Sequence, residues 1–242
     1  MLVIVGFKIV PDDSLIKIVG NELKTDVPVK ISTYDKNAIE EAIKIKEATN
    51  GKAIGITVGI TDRKSIREAL AMGLDEIIAI NTQYADVKNT ALIIAEHAKQ
   101  LNPDVILFGE STTDSSTGSL GGYVAGVLEY PYVSYVRKLK IEGKKLILER
   151  ALTPIYEKVE VETPVVISVT GEINVPRIPT VRQIMEASKK PVKEIKIDKL
   201  DNSAKIHSIK PYIVTRKRII IEKPMDEAVE ILLDYLKKEG VL

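Results

Sequence analysis

Apolar residues follow two alternating patterns over residues 1–130. Short runs such as Leu2–Phe7 are apolar almost throughout and rich in β-branched residues, which is typical of strands covered on both faces. Longer segments such as Tyr34–Thr49 repeat apolar residues at helical spacing. This alternation predicts an α/β fold with a doubly wound, mostly parallel sheet and right-handed crossovers. The predicted strands are Leu2–Phe7, Ala53–Val58, Glu76–Ile80 and Asp104–Gly109, and the predicted helices are Tyr34–Thr49, Arg63–Met72, Asp86–Leu101 and Thr117–Leu128.

After Pro131 the chain changes to four short strand-like runs separated by turns, which predict antiparallel additions to the sheet or a second small sheet. Residues 190–222 show little periodicity, and Met225–Lys238 is predicted to be an amphipathic helix. We therefore expect an α/β domain over residues 1–190 and a C-terminal arm over residues 191–242. The arm wraps either its own domain or a partner subunit, and both interpretations stay open. The four strand-like runs are Tyr132–Lys140, Lys145–Arg150, Tyr156–Val161 and Val165–Thr170.

The composition excludes several kinds of chemistry. The 242 residues include no cysteine and two histidines, which excludes disulfides, iron–sulfur clusters and thiolate metal sites and leads us to expect no metal site. The formal net charge of +1 gives no overall field that would attract nucleic acid. No run reaches the roughly 18–20 apolar residues that cross a bilayer, and no basic region precedes the short apolar N-terminus. We expect a cytoplasmic protein that binds no nucleic acid and does not insert into a membrane.

The segment with the most chemical content lies between the predicted strand Asp104–Gly109 and the helix after it. It is rich in glycine, serine and threonine and contains one aspartate, Asp114. A helix N-terminus offers free N–H groups and the positive end of the helix dipole, so this loop suits a phosphate group. A polar loop that only caps the helix is the second interpretation. The residues that would serve a phosphate are Ser116, Thr117 and Ser119 through hydroxyls and Gly118 and Gly121 through close backbone approach.

Two other segments stand where a nucleotide site would be completed. Gly6 ends the first strand, where it would leave room for a flat ring, and Lys8 is a phosphate partner or, by the simpler interpretation, a surface lysine. Ser32–Asp35 is typical of a helix N-terminal cap. No Walker A ending and no constellation of catalytic residues accompanies them. The sequence therefore favours a protein that holds a nucleotide over an enzyme.

Five segments, in one order and at matching spacing, resemble the electron-transfer flavoprotein β family, which includes the FixA-type proteins. The match runs from residue 1 to about residue 192. No single motif is decisive, and the specificity lies in their order. The segments are Val5–Asp12 (VGFKIVPD), Tyr34–Glu47 (YDKNAIEEAIKIKE), Ile66–Asp75 (IREALAMGLD), Asp104–Gly109 with Asp114–Gly118 (DVILFG, DSSTG) and Asn174–Thr180 with Ile184–Ala187 (NVPRIPT, IMEA).

The resemblance implies a flavodoxin-like fold, similar to adenine-nucleotide α-hydrolases, and a heterodimer with an α subunit that the arm at 191–242 would wrap. The complex would carry a redox-active FAD, held mainly by the α subunit. It would move electrons from dehydrogenases to a quinone oxidoreductase or another acceptor. The β site would hold AMP, or a second FAD in members that bifurcate electrons. The chain itself would be an electron-carrier subunit and not an enzyme.

The resemblance also implies the residues of two sites. The implied nucleotide contacts are Gly6, Ser32, Thr33, Tyr34, Asp35, Val58, Gly109, Asp114, Ser116, Thr117, Gly118, Ser119 and Leu120. The implied recognition loop for partner dehydrogenases contains Pro176, Arg177, the apolar anchor Val181, Ile184 and Met185. Four departures from the family pattern leave AMP or FAD open. Ser32-Thr33 replaces Asn-Pro, Glu110-Ser111 replaces Lys-Gln and Ser119 replaces Gln, and Thr153-Pro154-Ile155 interrupts the family's acidic, glycine-rich signature around Arg150.

Two functions of other classes stay open beside this one. An enzyme similar to adenine-nucleotide hydrolases would need a general base or a metal at the loop, and Asp114 is the obvious candidate base. A nucleotide sensor similar to universal stress proteins would need no catalytic residue. Such sensors usually form homodimers, so the oligomeric state separates a sensor from a heterodimeric subunit.

Overall fold

A nine-stranded sheet forms the centre of the computed structural model, which describes residues 1–212 and 216–242. Residues 213–215, which belong to the predicted C-terminal arm, lie outside the described residues. In chain order the strands are β1 (Leu2–Gly6), β2 (Ile9–Pro11), β3 (Lys17–Val19), β4 (Glu22–Lys24), β5 (Val29–Ile31), β6 (Lys52–Gly59), β7 (Glu76–Asn81), β8 (Val105–Gly109), β9 (Tyr132–Glu142), β10 (Lys145–Leu152), β11 (Ile155–Glu162), β12 (Val165–Val169) and β13 (Val192–Lys196). The large sheet has the order β11-β10-β9-β12-β8-β1-β6-β7-β13. Strands β2 and β5 form one small antiparallel pair, and β3 and β4 form another.

Helices cover both faces of the large sheet, as a doubly wound fold requires. The α-helices of the described residues are α1 (Thr33–Thr49), α2 (Arg63–Met72), α3 (Val87–Leu101), α4 (Leu120–Leu128), α5 (Val181–Ala187) and α6 (Met225–Lys238). Ile39 of α1 and Leu70 of α2 lie in one buried cluster, with Ala187 of α5. Ile94 of α3 and Val124 of α4 lie in the cluster on the opposite face.

Strand β1 lies at the centre of the sheet, with β6 paired in parallel along one edge and β8 along the other. Successive side chains of a strand point to opposite faces, so Val3 and Val5 enter one cluster and Ile4 enters the other. All three are fully buried, and burial of each such side chain stabilises the fold by about 1.5–3 kcal/mol. The parallel, doubly covered arrangement confirms the predicted fold class.

Strand β12 departs from the expectation for the second half of the chain. The sequence pattern predicts that Val165–Thr170 belongs to the antiparallel additions or to a second small sheet, but β12 lies in parallel between β8 and β9. All five of its residues are buried, and a strand covered on both faces belongs in a parallel interior. Strands β10 and β11 are antiparallel, as expected, and extend one edge of the sheet.

Helix α4 begins at Leu120 and not at Thr117 as predicted. Ser116 and Gly118 have positive φ angles of 49° and 60°, and such angles do not occur within a right-handed helix. Residues up to Ser119 therefore stay in the loop after β8. The predicted phosphate loop is longer than the sequence indicated, and its helix starts later.

Contacts divide the described chain into two units, Met1–Ile209 and Lys210–Leu242. The first unit includes β13, which pairs in parallel with β7 at the edge of the sheet, although its residues belong to the predicted arm. The second unit contains α6, whose bounds match the predicted amphipathic helix. Within the described residues, no helix combines the length and the apolarity needed to cross a bilayer.

Gly6 at the end of β1 provides a test of the packing. A Cβ atom added there would lie 2.2 Å from Cε1 of the buried Phe108 ring. We expect Gly6→Ala to lower the free energy of unfolding by about 1–3 kcal/mol, because the core must shift to accept it. In urea denaturation, the control Gly126→Ala in α4, where an added Cβ meets nothing within 4 Å, should instead raise stability by about 0.4–1 kcal/mol. A neutral Gly6→Ala variant would contradict this packing.

Candidate functional site

The carboxyl ends of β1 and β8 lie side by side in the middle of the sheet. The chain passes from β1 to β6 and β7 on one side and then returns to β8 on the other, so the strand order reverses between β1 and β8. In doubly wound sheets, such a switch point opens a crevice that binds ligands. Lys8 follows β1, the loop Glu110–Ser119 follows β8, and the first turn of α1 lies beside both.

Asp35, in the first turn of α1, ties the two strand ends together. Its Oδ2 accepts a hydrogen bond from the Lys8 amide at 2.8 Å, and its Oδ1 accepts one from the Gly109 amide at 3.3 Å. Burial raises the pKa of the Asp35 carboxyl to about 7, although the two amides oppose this shift. Both carboxyl oxygens are engaged within the protein, so Asp35 holds the framework on which the loop is built.

Ser32 connects the start of α1 to the loop. Its hydroxyl accepts a hydrogen bond from the Thr113 amide at 3.3 Å, and its own amide donates to the Lys8 carbonyl at 2.9 Å. Ser32 occupies the N-cap position of α1, as predicted, but its side chain makes no capping hydrogen bond. The hydroxyl is instead used to fix the loop after β8.

An ion pair joins the segment after β1 to the same loop. The Lys8 Nζ lies 2.5 Å from the Asp114 Oδ2, and both side chains are partly exposed. Burial pushes the pKa of Asp114 up, but its hydrogen bonds to Lys8 and Thr112 outweigh burial and leave the pKa below its usual value. A carboxylate stabilised in this way is a weak base, which argues against the general-base role that a hydrolase would require of Asp114.

Buried hydroxyls without a partner mark the carboxyl edge of the sheet. In the described part of the chain, the buried side-chain oxygens and nitrogens that lack a hydrogen bond belong to Thr57, Ser111, Thr113 and Thr170. Thr57 lies near the end of β6, Ser111 and Thr113 lie in the loop, and Thr170 directly follows β12. An unpaired buried hydroxyl costs about 1–3 kcal/mol, so the grouping of these hydroxyls at one edge of the sheet makes that edge a candidate site for a polar ligand.

The start of α4 adds free amides to this edge. The first intrahelical bond of α4 runs from the Tyr123 amide to the Ser119 carbonyl, so the amides of residues 120–122 have no partner within the helix. Such amides bind anions well. The predicted contacts Ser116, Thr117 and Gly118 are exposed beside them, and Ser119 and Leu120 are half-buried. On the other side of the switch point, Thr33 is exposed and Tyr34 is half-buried.

Three predicted contacts lie deeper in the fold. The ring that fits beside Gly6 is the protein's own Phe108, because an added Cβ would meet that ring. An added Cβ at Gly109 would lie 2.7 Å from Asp35 Oδ1, so this glycine permits the close approach of α1 to β8. Val58, at the end of β6, is buried in the cluster that contains Ile4. These residues shape the crevice through packing.

Two open clefts flank the loop. One, of about 620 Å³, lies beside α4 and is lined mainly by Gly118, Ser119, Tyr123 and Tyr132. The other, of about 540 Å³, lies beside the end of β12. Its lining includes Glu110, Tyr135, Leu152 and Thr170. Space for a ligand therefore adjoins the loop on both sides.

The predicted recognition residues lie in one continuous segment before and within α5. Thr180 begins α5 through a capping box with Gln183. The side chains of Val181 and Met185 are largely exposed, at 76% and 69%, and Ile184 is 39% exposed. Pro176 is half-buried, and Arg177 is directed to α1, where it pairs with Glu40 and Glu47. The segment presents apolar side chains on the surface while its arginine is engaged internally.

Sequence reasoning did not single out several residues that the structure brings into play. Ser111 and Thr113 lie inside the predicted loop, but nothing in their spacing marks them as buried. Asn37, Glu40 and Glu41 are buried polar residues of α1. A signal existed, because these three recur at the i, i+3, i+4 spacing of a covered helix face. Polar residues at that spacing normally indicate a solvated face, so the signal was ambiguous.

The fold and the loop after β8 together define a class of protein. A doubly wound parallel sheet with small polar residues and a helix start at its switch point is the arrangement of nucleotide-binding α/β proteins. The described residues that meet there supply hydroxyls, amides and one lysine.

The model of the electron transfer flavoprotein domain matches residues 23–200, and the chain belongs to the β-subunit branch of this family. An electron transfer flavoprotein subunit beta from Thermoanaerobacterium thermosaccharolyticum is 39% identical over 83% of this chain and 80% of that protein. One from Clostridium acetobutylicum is 33% identical over 99% of both chains. The caffeyl-CoA reductase-Etf complex subunit CarD from Acetobacterium woodii is 34% identical over 79% of this chain and 77% of its own. These matches confirm the resemblance found in the sequence.

The raised pKa of Asp35 predicts that stability depends on pH. The folded protein keeps this proton up to about pH 7, whereas the unfolded chain releases it near the ordinary value of 3.8. The folded state therefore binds more protons between these values, and its stability falls as pH rises, with a slope of up to about 1.4 kcal/mol per pH unit. Urea denaturation from pH 4 to 8 should show this slope in the wild type and lose it in Asp35→Asn. Parallel profiles of the two proteins would contradict the raised pKa, and Asp26→Asn, at an exposed residue, serves as the control.

Proposed function

We propose that this chain is the nucleotide-holding β subunit of an electron-transfer flavoprotein, and that it works in a heterodimer with an FAD-carrying α subunit. Its own site holds AMP, or the adenosine part of a second FAD, at the carboxyl ends of β1 and β8. The observation that carries the nucleotide is the pair of buried, unpaired hydroxyls of Ser111 and Thr113 inside the loop. They lie in the segment whose helix start also leaves amides free.

The chemistry of these groups suits a nucleotide. Ribose and phosphate oxygens accept hydrogen bonds from hydroxyls and amides, and such a ligand relieves the cost of about 1–3 kcal/mol for each unpaired buried hydroxyl. Lys8 lies beside the loop and, in pairing with a phosphate, would exchange its present partner Asp114. Asp35 and Ser32 hold the strand ends and the loop in place.

The chain carries electrons only as part of its complex. FAD bound by the α subunit supplies the redox chemistry, and the residues of this chain bind, orient and shield. The partners are dehydrogenases on one side and a quinone oxidoreductase or another acceptor on the other. The name of the Acetobacterium woodii relative, a subunit of a caffeyl-CoA reductase complex, supports an oxidoreductase that acts on an acyl-CoA as one such partner.

Two surfaces serve these partners. The segment from Pro176 to Met185 contacts the dehydrogenase, because its apolar side chains Val181 and Met185 are exposed to a degree unusual for their type. The C-terminal arm wraps the α subunit. Helix α6 supports this role, because its apolar residues Met225, Val229 and Leu232 are exposed along one face.

The nucleotide in the proposed site can be identified by releasing it from the purified heterodimer. We expect the co-expressed heterodimer to yield, after denaturation, either one FAD and one AMP or two FAD per complex. In the complex stripped of nucleotide, Thr113→Val should bind AMP about tenfold more weakly, the cost of one lost hydrogen bond, without loss of stability. Thr25→Val, at an exposed residue, should leave both quantities unchanged. A complex with one FAD and no second adenine nucleotide would contradict the proposal.

The arm is tested by truncation. A chain that ends at Ile209 retains the whole first unit and loses Lys210–Leu242. We expect it to lose co-purification with the α subunit, because the apolar face of α6 no longer contributes to the interface. In the full chain, Leu232→Asp on that face should weaken the heterodimer, while Glu230→Ala, also exposed, should leave it intact. Unchanged heterodimer formation by the truncated chain would show that the arm has another role.

A further inference from the structure

The segment between β12 and β13 is fixed at both ends and exposed in the middle. At the start of this segment, Asn174 and Arg177 contact α1. At the end of the segment, Lys190 contacts the C-terminal end of α2. Between these anchors, Val175 and Ile178 are 90% and 91% exposed. Exposed apolar residues that are scattered singly are normal, whereas several of them within one segment that is fixed at both ends form an organised surface.

The first anchor is a polar socket on α1, formed by Asn37, Glu40 and Glu41. All three are buried, at 6%, 4% and 6% exposure. Burial of polar groups within a domain is costly unless they are paired. Their nearest hydrogen-bond partners come from one segment, because Asn37 and Glu41 bond with Asn174 and Glu40 bonds with Arg177. The socket is therefore complete only when the segment is seated in it.

Asn174 and Asn37 pair reciprocally. The Asn37 Nδ2 donates to the Asn174 carbonyl at 2.9 Å, and the Asn174 Nδ2 donates to the Asn37 carbonyl at 3.0 Å. The Asn174 Nδ2 also donates to Glu41 Oε2 at 3.0 Å. These bonds fix the backbone of the segment at the point where it leaves the sheet.

Arg177 closes the socket with a fork of charged hydrogen bonds. Its Nε and backbone amide both donate to Glu40 Oε2, at 2.8 and 3.1 Å, and its Nη2 donates to Glu40 Oε1 at 3.1 Å. Its Nη1 donates to Glu47 Oε1 at 2.8 Å. Planar, bidentate pairing of this kind constrains geometry more than a single ammonium contact does.

The second anchor lies at the end of the segment. The Lys190 Nζ donates to the carbonyls of Leu70 and Leu74 at 2.9 and 2.6 Å, where α2 ends. A cation at a helix C-terminus is stabilised by the carbonyls that have no intrahelical partner. Both anchors use side chains of the first unit and leave Val175, Ile178, Val181 and Met185 free.

We infer that Asn174 and Arg177 are positioning residues, which seat the segment 175–188 in the socket on α1 and thereby present Val175, Ile178, Val181 and Met185 as one preorganised docking surface. Arg177 then acts through the segment and does not itself touch the partner. The identity of the partner, an oxidoreductase, rests on the proposed function. The seating of the segment rests on the contacts with α1 and α2 alone. Preorganisation favours docking because the entropy of ordering the segment is lost during folding and not during binding.

Hydrogen exchange in the heterodimer with the α subunit tests the seating directly. In Arg177→Ala, we expect peptides that cover residues 175–188 to exchange about tenfold faster, because a charged hydrogen-bond network closes this region. Peptides from β1 and β8 should be unchanged. Arg177→Lys, which restores one charged contact, should recover part of the protection. The control Arg182→Ala, whose side chain is 88% exposed and pairs, among the described residues, with Glu186 of the same helix alone, should leave exchange unchanged.

Either of two results would overturn the inference. Unchanged exchange over 175–188 in Arg177→Ala would show that the socket does not hold the segment. Equal loss of protection over β1 and β8 would show that Arg177 holds the whole fold. If Arg177→Ala does not fold, Glu47→Gln decides between these outcomes. The Glu47 carboxylate is 54% exposed and accepts the hydrogen bond from the Arg177 Nη1, so its replacement weakens the anchor without emptying the buried part of the socket.

The kinetics of electron transfer distinguish a residue that positions the docking segment from one that contacts the partner. With a reduced acyl-CoA dehydrogenase as the donor, we expect Arg177→Ala to raise KM about tenfold and leave kcat unchanged, because only the docking step loses preorganisation. Arg177→Lys should recover part of this loss. A lowered kcat with unchanged KM would overturn the positioning role. If the wild-type complex accepts no electrons from this donor, the proposed partner class fails, and hydrogen exchange still decides the inference.

Discussion

Strand β1 is paired along both edges and covered on both faces, and the rest of the molecule is arranged around that constraint. A strand with no free edge and no exposed face fixes the position of its neighbours β6 and β8. The chain order reverses between β1 and β8, and in doubly wound sheets such a switch point opens a crevice at the carboxyl ends of the strands. The buried Asp35 carboxyl joins both strand ends through the amides of Lys8 and Gly109, and this gives the crevice a fixed width.

Buried polar groups divide into two kinds, and the division separates structure from function. Asp35, Asn37 and Glu40 are buried and hydrogen-bonded within the chain, so they set the positions of segments. The hydroxyls of Ser111 and Thr113 are buried and unpaired, in the loop where the nucleotide is proposed to bind. The energetic cost of an unpaired hydroxyl makes the second kind informative, because a fold keeps such groups where binding repays the cost.

The two proposed partner surfaces use apolar side chains in different ways. The segment before α5 is seated by charged and amide contacts on α1 and α2, so its exposed residues are held in a fixed arrangement. Helix α6 belongs to a separate unit and carries its apolar residues along a helical face. A surface that docks transiently benefits from preorganisation, whereas an arm that stays bound can order on its partner.

The sequence by itself determined the four core strands and the four helices of the first 130 residues, apart from the start of α4, because a run such as Leu2–Phe7 is apolar on both faces and a helix such as α1 repeats its apolar residues at one spacing. It also located the loop after β8, since small polar residues between a strand and a helix have few other uses. Tertiary structure alone decided that β12 is a parallel interior strand and that β13 extends the sheet, because strand pairing depends on residues distant in sequence. Tertiary structure also decided that Ser32 bonds to Thr113 and that Arg177 is directed to α1. The residues of the first pair are separated by 81 positions, and Arg177 and Glu40 are separated by 137, and hydrogen bonds over such separations leave no trace in local periodicity.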